Sequence, residues 1–151
     1  MAIFFYETKI GIIGIEEGDG FINKVYFDSN ISYKKEAVFE TELIKEASIQ
    51  LKEYLNGTRK EFKLPLKPSG TEFMKEVWSE LCKVPYGVTL SYKGLAEKIG
   101  RPKSARAIGM ACNKNPIPIF IPCHRIVGSN GNLTGYLGGL DIKRMLLDLE
   151  K

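Results

Sequence analysis

The first thirty residues alternate between apolar and polar positions in three short runs. These runs, at 3–6, 10–15 and 21–27, are rich in isoleucine, phenylalanine and tyrosine, and the turn residues Glu17-Gly18-Asp19-Gly20 separate the last two. A period of two between glycine-rich turns is typical of β-strands. The pattern therefore predicts three strands of an antiparallel meander.

The apolar spacing then lengthens to that of a helix. Apolar residues recur on one helical face over 38–55, and Asn56-Gly57 follows as a C-terminal cap. Residues 63–70 contain two prolines and a glycine, which predicts a linker. We therefore expect an N-terminal α/β domain over 1–66 and a second domain over 71–151.

The second half is mainly helical in pattern. The predicted helices cover 71–82, 92–99 (with Ser91 as N-cap), 104–113 and 140–150. The middle two flank Gly100-Arg101-Pro102, an order typical of a helix-turn-helix, although two helices packed together for core reasons would give the same pattern. Two prolines within 115–120 predict an extended, buried run before Cys123.

Composition narrows the class of protein. The chain has 151 residues, of which 44% are hydrophobic and 26% are charged, as in a globular protein. It lacks an apolar stretch of ~20 residues, so no membrane span is expected. The start has neither a basic segment nor a cleavage site, and we expect a cytoplasmic protein.

The net charge of +4 is concentrated in one part of the chain. Between residues 82 and 125 there are eight basic residues and one acidic residue, Glu97. A basic stretch of this kind is typical of a nucleic-acid partner, although a solvated helix face with its acids elsewhere in space is the alternative.

Candidate chemistry centres on Pro122-Cys123-His124-Arg125, which contains the only histidine of the chain. A thiolate is the nucleophilic form of cysteine, and an adjacent proton acceptor with positive charge at hand favours a reactive Cys123. A buried cysteine with a chance neighbour is the alternative. Three widely spaced cysteines and one histidine do not indicate a disulfide framework or a zinc site.

Several motifs, in order, resemble the O6-alkylguanine-DNA alkyltransferases, repair proteins that take an alkyl group from guanine onto a cysteine. They cover 71–151 densely and are Tyr86-Gly87, Ser91-Tyr92, Lys103-Ser104-Ala105-Arg106-Ala107, 115–125, Gly135-Tyr136 with Gly138-Gly139, and 143–150. The resemblance implies an α+β protein. Its N-terminal domain would be ribonuclease H-like with a small antiparallel sheet, and its helical C-terminal domain winged-helix-like with a helix-turn-helix.

The resemblance also implies the reaction. A monomer would repair O6-alkylguanine, and O4-alkylthymine, in double-stranded DNA by irreversible transfer to Cys123, once per molecule, after the base is flipped out from the minor groove. His124 would deprotonate Cys123 through a water, with Glu150 orienting the imidazole. Asn115 would tie the cysteine loop together, and Tyr92 would give a proton to the leaving guanine. No cofactor or metal is implied, because the N-terminal half lacks the Cys and His that bind zinc in some members.

Substrate and DNA contacts follow from the same resemblance. The guanine pocket would be lined by Ile126, Tyr136, Leu137 and Gly138. Arg106 would enter the duplex and fill the place of the flipped base. The other implied DNA contacts are Tyr92, Lys93, Arg101, Lys103, Ala105, Arg125 and Ser129.

Three other functions remain as alternatives. A non-catalytic alkyltransferase-like protein would bind lesions without the acceptor cysteine, which is present here as Cys123. A helix-turn-helix regulator would not need Asn115, the Cys-His-Arg segment and Glu150 together. A Cys–His hydrolase would leave the basic stretch without a purpose.

Overall fold

The computed structural model of the chain describes residues 1–28 and 37–151. Within them the chain divides into two compact units, Met1–Pro68 and Ser69–Lys151. The α+β class expected from the sequence is confirmed.

The first unit is built on a meander of three antiparallel strands. They are β1 (Ala2–Thr8), β2 (Gly11–Gly18) and β3 (Phe21–Phe27), as the alternating pattern predicts. A short strand that the pattern did not predict, β4 (Ala37–Val38), pairs in parallel with β1, so that the sheet order is β3-β2-β1-β4. Ile13 and Ile15 of β2 are completely buried.

One helix, α1 (Glu42–Leu55), packs against this sheet. The hydroxyl oxygen of Thr41 accepts a hydrogen bond from the Ile44 amide at 3.1 Å and caps the first turn. The helix therefore begins four residues later than the predicted 38, because Val38 belongs to β4. Its end at Asn56-Gly57 is as predicted, with Gly57 at a φ of 80°.

The segment predicted as a linker is partly packed on the first unit. The Ile22 amide donates to the Pro65 carbonyl at 2.8 Å, and the Lys67 amide donates to the Ile22 carbonyl at 2.9 Å. Residues 65–67 thus continue the hydrogen bonding of β3, and the first unit extends to Pro68.

The second unit contains four α-helices and a small two-stranded sheet. The helices are α2 (Glu72–Leu81), α3 (Tyr92–Lys98), α4 (Ala105–Asn113) and α5 (Leu140–Leu149), which confirms the four predicted from the sequence. The strands are β5 (Leu90–Ser91) and β6 (Ile126–Val127), which run parallel and were not predicted. Their pairing holds the start of α3 beside the chain that leaves Cys123.

The prediction of an extended backbone over 115–120 is wrong. The run is buried, as expected, but it turns back on itself. The Ile121 amide donates to the Ile117 carbonyl at 3.0 Å, and Ile119 adopts a φ of 74°. A left-handed conformation is strained for a β-branched residue and costs about 1–3 kcal/mol, so the surrounding contacts must impose it.

Candidate active site around Cys123

Cys123 opens a short 3-10 turn, Cys123–Arg125, that lies inside the second unit. Its side chain is buried. The Asn115 amide nitrogen donates to the Cys123 sulfur at 3.2 Å and to the Ile121 carbonyl at 3.0 Å, while the Asn115 amide oxygen accepts from the Ile117 amide at 2.9 Å. One buried side chain therefore fixes both the tight turn and the sulfur that follows it.

His124, the residue after Cys123, forms a buried pair with Glu150. Nε2 of His124 lies 2.8 Å from Oε2 of Glu150, and both side chains are almost fully excluded from solvent. Glu150 directly follows α5, and the Gly87 amide donates to its Oε1 at 3.0 Å. Gly87 has a φ of 81°, and a Cβ there would lie 3.0 Å from the Glu150 carbonyl oxygen, so glycine is required at this approach.

Arg125 completes this network from the other side of Glu150. Its Nε donates to Oε1 of Glu150 at 2.9 Å and its Nη2 to Oε2 at 3.1 Å, a bidentate arrangement. Its Nη1 donates to the Val84 carbonyl at 2.7 Å, and its guanidinium lies over the Tyr86 ring. The assignment of Arg125 as a DNA contact is therefore wrong, because the guanidinium is buried and its donors hold the carboxylate that orients His124.

The electrostatics of the sulfur differ from the sequence-based expectation. Burial raises the pKa of the Cys123 thiol to about 11, against smaller lowering effects of the Asn115 hydrogen bond and the Lys143 charge. Burial also lowers the pKa of His124, while Glu150 acts in the opposite direction. At neutral pH the resting site therefore holds a neutral thiol and a neutral imidazole that can accept a proton.

Tyr92 is brought to this region by the β5–β6 pairing. Ser91 caps α3 by accepting from the Gly94 amide at 2.9 Å, and Tyr92 is the first residue of the helix. Its phenol is half-buried and shares a hydrogen bond with the Thr134 hydroxyl.

The four residues expected to line the pocket lie at or after β6. Ile126 is completely buried, Tyr136 and Gly138 are half-buried, and Leu137 is exposed. Ile126 directly follows the Cys123–Arg125 turn, whereas Tyr136, Leu137 and Gly138 lie in the loop before α5.

The remaining candidates for DNA contact are distributed over the α3–turn–α4 region and the loop after β6. Arg106 is exposed on the first turn of α4, and Arg101 is exposed but lies 3.3 Å from Glu76. Tyr92 and Ala105 are half-buried, and the exposed candidates besides the two arginines are Lys93, Lys103 and Ser129.

Sequence reasoning missed two residues of the site, Lys143 and Thr134. Lys143 is 1% exposed, and its ammonium donates to the Ile126 carbonyl at 2.6 Å and to the Thr134 carbonyl at 3.3 Å. The available signal was its spacing, since Lys143 and Leu146 share one face of the last helix, where a core position is expected. Thr134 carried no comparable signal.

Two negative findings concern the described residues 1–28 and 37–151. No three side chains of His, Cys, Asp or Glu cluster there in a way that could hold a metal ion. No helix within these ranges is long and apolar enough to cross a membrane.

Comparison with known proteins identifies the family. Residues 72–151 match the family described as "6-O-methylguanine DNA methyltransferase, DNA binding domain". A methylated-DNA–protein-cysteine methyltransferase of Methanosarcina acetivorans is 47% identical over 148 residues, which cover 96% of this chain and 95% of that protein.

Solved structures agree with the sequence comparison. The fold is similar to that of Mycobacterium tuberculosis OGT in complex with DNA, with a TM-score of 0.94, 36% identity, and coverage of 100% of this chain and 93% of that one. An O6-methylguanine DNA methyltransferase of Methanococcus jannaschii has a TM-score of 0.70 at 29% identity, covering 97% and 92%. The chain therefore belongs to the O6-methylguanine DNA methyltransferase family, DNA repair enzymes that transfer a methyl group from methylated DNA to a protein cysteine.

Proposed function

We propose that the protein transfers the alkyl group of O6-alkylguanine, and of O4-alkylthymine, from double-stranded DNA to the sulfur of Cys123, and that each molecule acts once. The observation that carries this proposal is the hydrogen bonding of Cys123 and of the two residues that follow it in the chain. Asn115 donates to Sγ, and the next residue, His124, is held by Glu150, which is held in turn by Arg125. A nucleophile, a base and a residue that orients the base are the elements of an activated nucleophile.

The proposed step balances in atoms and charge. The bond between Sγ of Cys123 and the alkyl carbon forms while the bond from that carbon to O6 breaks, and its electron pair stays with guanine. The thiol proton passes to His124 through a water, and the phenol proton of Tyr92 passes to the leaving guanine. Proton donation is needed because an anionic guanine is a poor leaving group. The thioether product has no comparable leaving group, so the transfer is irreversible.

On the DNA side, we propose that α3, the turn and α4 act as a helix-turn-helix in the minor groove. Exposed Arg106 at the start of α4 would fill the gap left by the flipped base, which costs a few kcal/mol to extrude. Lys93, Lys103 and Ser129 would contact the sugar-phosphate backbone of the DNA. Minor-groove readout is degenerate and phosphate contacts carry no sequence information, so binding would be nearly independent of sequence. The same proposal includes a ribonuclease H-like fold for the first unit and a winged-helix-like fold for the second. It also includes binding to DNA as a monomer.

The test is the stoichiometry of covalent transfer. The protein is mixed with a duplex that contains O6-methylguanine, and intact mass and peptide mapping are recorded. We expect one methyl group per molecule, on Cys123, and none in Cys123→Ala, which should still bind DNA in a fluorescence anisotropy assay. Cys82→Ser removes an exposed thiol and is the matched control that should react normally. Continued turnover with excess DNA, or methylation of Cys123→Ala, would overturn the proposal.

A further inference from the structure

Thr134 contacts both Tyr92 and the buried Lys143. Its hydroxyl shares a hydrogen bond with the phenol of Tyr92, forty-two positions away in the chain. Its carbonyl accepts from the buried ammonium of Lys143 at 3.3 Å, and that ammonium also donates to the Ile126 carbonyl at 2.6 Å. Lys143 thus fastens the Thr134 backbone to the strand that follows Cys123.

The direction of the Tyr92–Thr134 bond follows from proton counting. A phenol carries one proton, and a hydroxyl oxygen can both donate and accept. If Tyr92 gives its proton to the leaving guanine, that proton cannot also be used to bond Thr134. The threonine hydroxyl must then be the donor, and the phenolic oxygen of Tyr92 the acceptor.

We propose that Thr134 is a positioning residue for alkyl transfer, whose hydroxyl donates to the phenolic oxygen of Tyr92 and leaves the phenol proton directed at guanine. Lys143 holds Thr134 in place for this purpose. The inference rests on the proposed role of Tyr92 as proton donor.

The effects on the pKa of the Tyr92 phenol agree with this role of Thr134. Burial raises the pKa of the phenol, which makes it a weaker acid, and the Thr134 hydrogen bond acts in the opposite direction. A donor at the phenolic oxygen stabilises the negative charge that develops there as the proton leaves. Thr134 therefore both orients the phenol and offsets part of the effect of burial.

The test uses two matched substitutions in the full chain. Thr134→Val keeps the shape and removes the hydroxyl, whereas Thr134→Ser keeps the hydroxyl. Single-turnover rates are measured with O6-methylguanine duplex in excess of protein. We expect Thr134→Val to slow transfer about tenfold, the factor that corresponds to one lost hydrogen bond of about 1.4 kcal/mol. Thr134→Ser should stay within about twofold of the unsubstituted chain.

The same pair is then measured in a Tyr92→Phe background. If Thr134 acts through the phenol, Thr134→Val should cause less than about twofold further slowing there. The phenolic 13C resonance of Tyr92, identified by its loss in Tyr92→Phe, should move in Thr134→Val and return towards its original position in Thr134→Ser.

Each contrary outcome has a distinct meaning. Equal slowing by valine and serine, tenfold slowing that persists in Tyr92→Phe, or an unmoved resonance in Thr134→Val overturns the inference. A Tyr92→Phe protein that reacts at the full rate overturns the proton-donor role of Tyr92 and this inference with it, while transfer to Cys123 stands. A chain that gains no mass with alkylated DNA overturns the proposed function itself.

Discussion

Replacing Arg125 with methionine tests whether the buried ion pair supports the second unit. Methionine fills similar space but leaves the Glu150 carboxylate buried without its bidentate partner. Breaking a buried pair by removing one member costs about 3–5 kcal/mol. Glu150 keeps the Gly87 amide and His124, so we take the lower end, about 3 kcal/mol. For a chain of this length that corresponds to a loss of about 6–12 °C in Tm.

Thermal unfolding is followed by the fluorescence of Trp78, the single tryptophan, whose indole nitrogen donates to the Ala111 carbonyl at 2.9 Å within the second unit. Arg101→Met is the matched control, because its pair with Glu76 is exposed and contributes about 0–1 kcal/mol. Adding Glu150→Gln to Arg125→Met neutralises the unpaired carboxylate and should recover part of the loss. Equal Tm shifts for Arg125→Met and Arg101→Met would refute the reasoning, as would a double variant less stable than Arg125→Met alone.

Three further predictions concern the reaction. Arg106→Ala should slow repair of duplex DNA far more than reaction with free O6-benzylguanine, which needs no extrusion; equal rate losses on the two substrates would contradict this. Alkylation of Cys123 should lower Tm, more for benzyl than for methyl, since overpacking costs about 1–3 kcal/mol; adducts that melt at or above the free protein would show the steric argument to be wrong. Because burial lowers the pKa of His124 from 6.5, the imidazole is neutral above that pH. The single-turnover rate should then be level from about pH 6.5 to 8.5 and fall only below it, whereas a tenfold rise per pH unit would show that free hydroxide, not His124, removes the thiol proton.

The elements predicted correctly from the sequence are those specified by local pattern. The three strands of the meander alternate with a period of two, and Ser91 caps α3 through a contact three residues away. The strands that were missed, β4 and the β5–β6 pair, are two residues long each. Two residues cannot show a period, and their positions are determined by pairing with distant parts of the chain.

The errors at the site have the same physical origin. The resemblance assigned Arg125 to DNA, yet its side chain is buried and pairs with Glu150, twenty-five residues further on. The turn at Ile119 could not be predicted because a positive φ for isoleucine is contrary to its local preference and is imposed by the contacts of Asn115 and its neighbours. Charge counts and local conformational preferences do not identify partners that the fold brings together from other parts of the chain.

The raised pKa of Cys123 determines what the proposed transfer would require of the residues around it. A thiolate that persisted in the resting site would be a ready target for oxidation, and burial disfavours it more than the Asn115 hydrogen bond favours it. With a thiol pKa of about 11, the stable thiolate is a small fraction at neutral pH, so the proposed transfer to Cys123 would need a base that takes the thiol proton. His124, the proposed base, suits this step because burial favours its neutral form while Glu150 holds its ring. Arg125 compensates the charge of Glu150, so His124 is held by a carboxylate whose negative charge is paired.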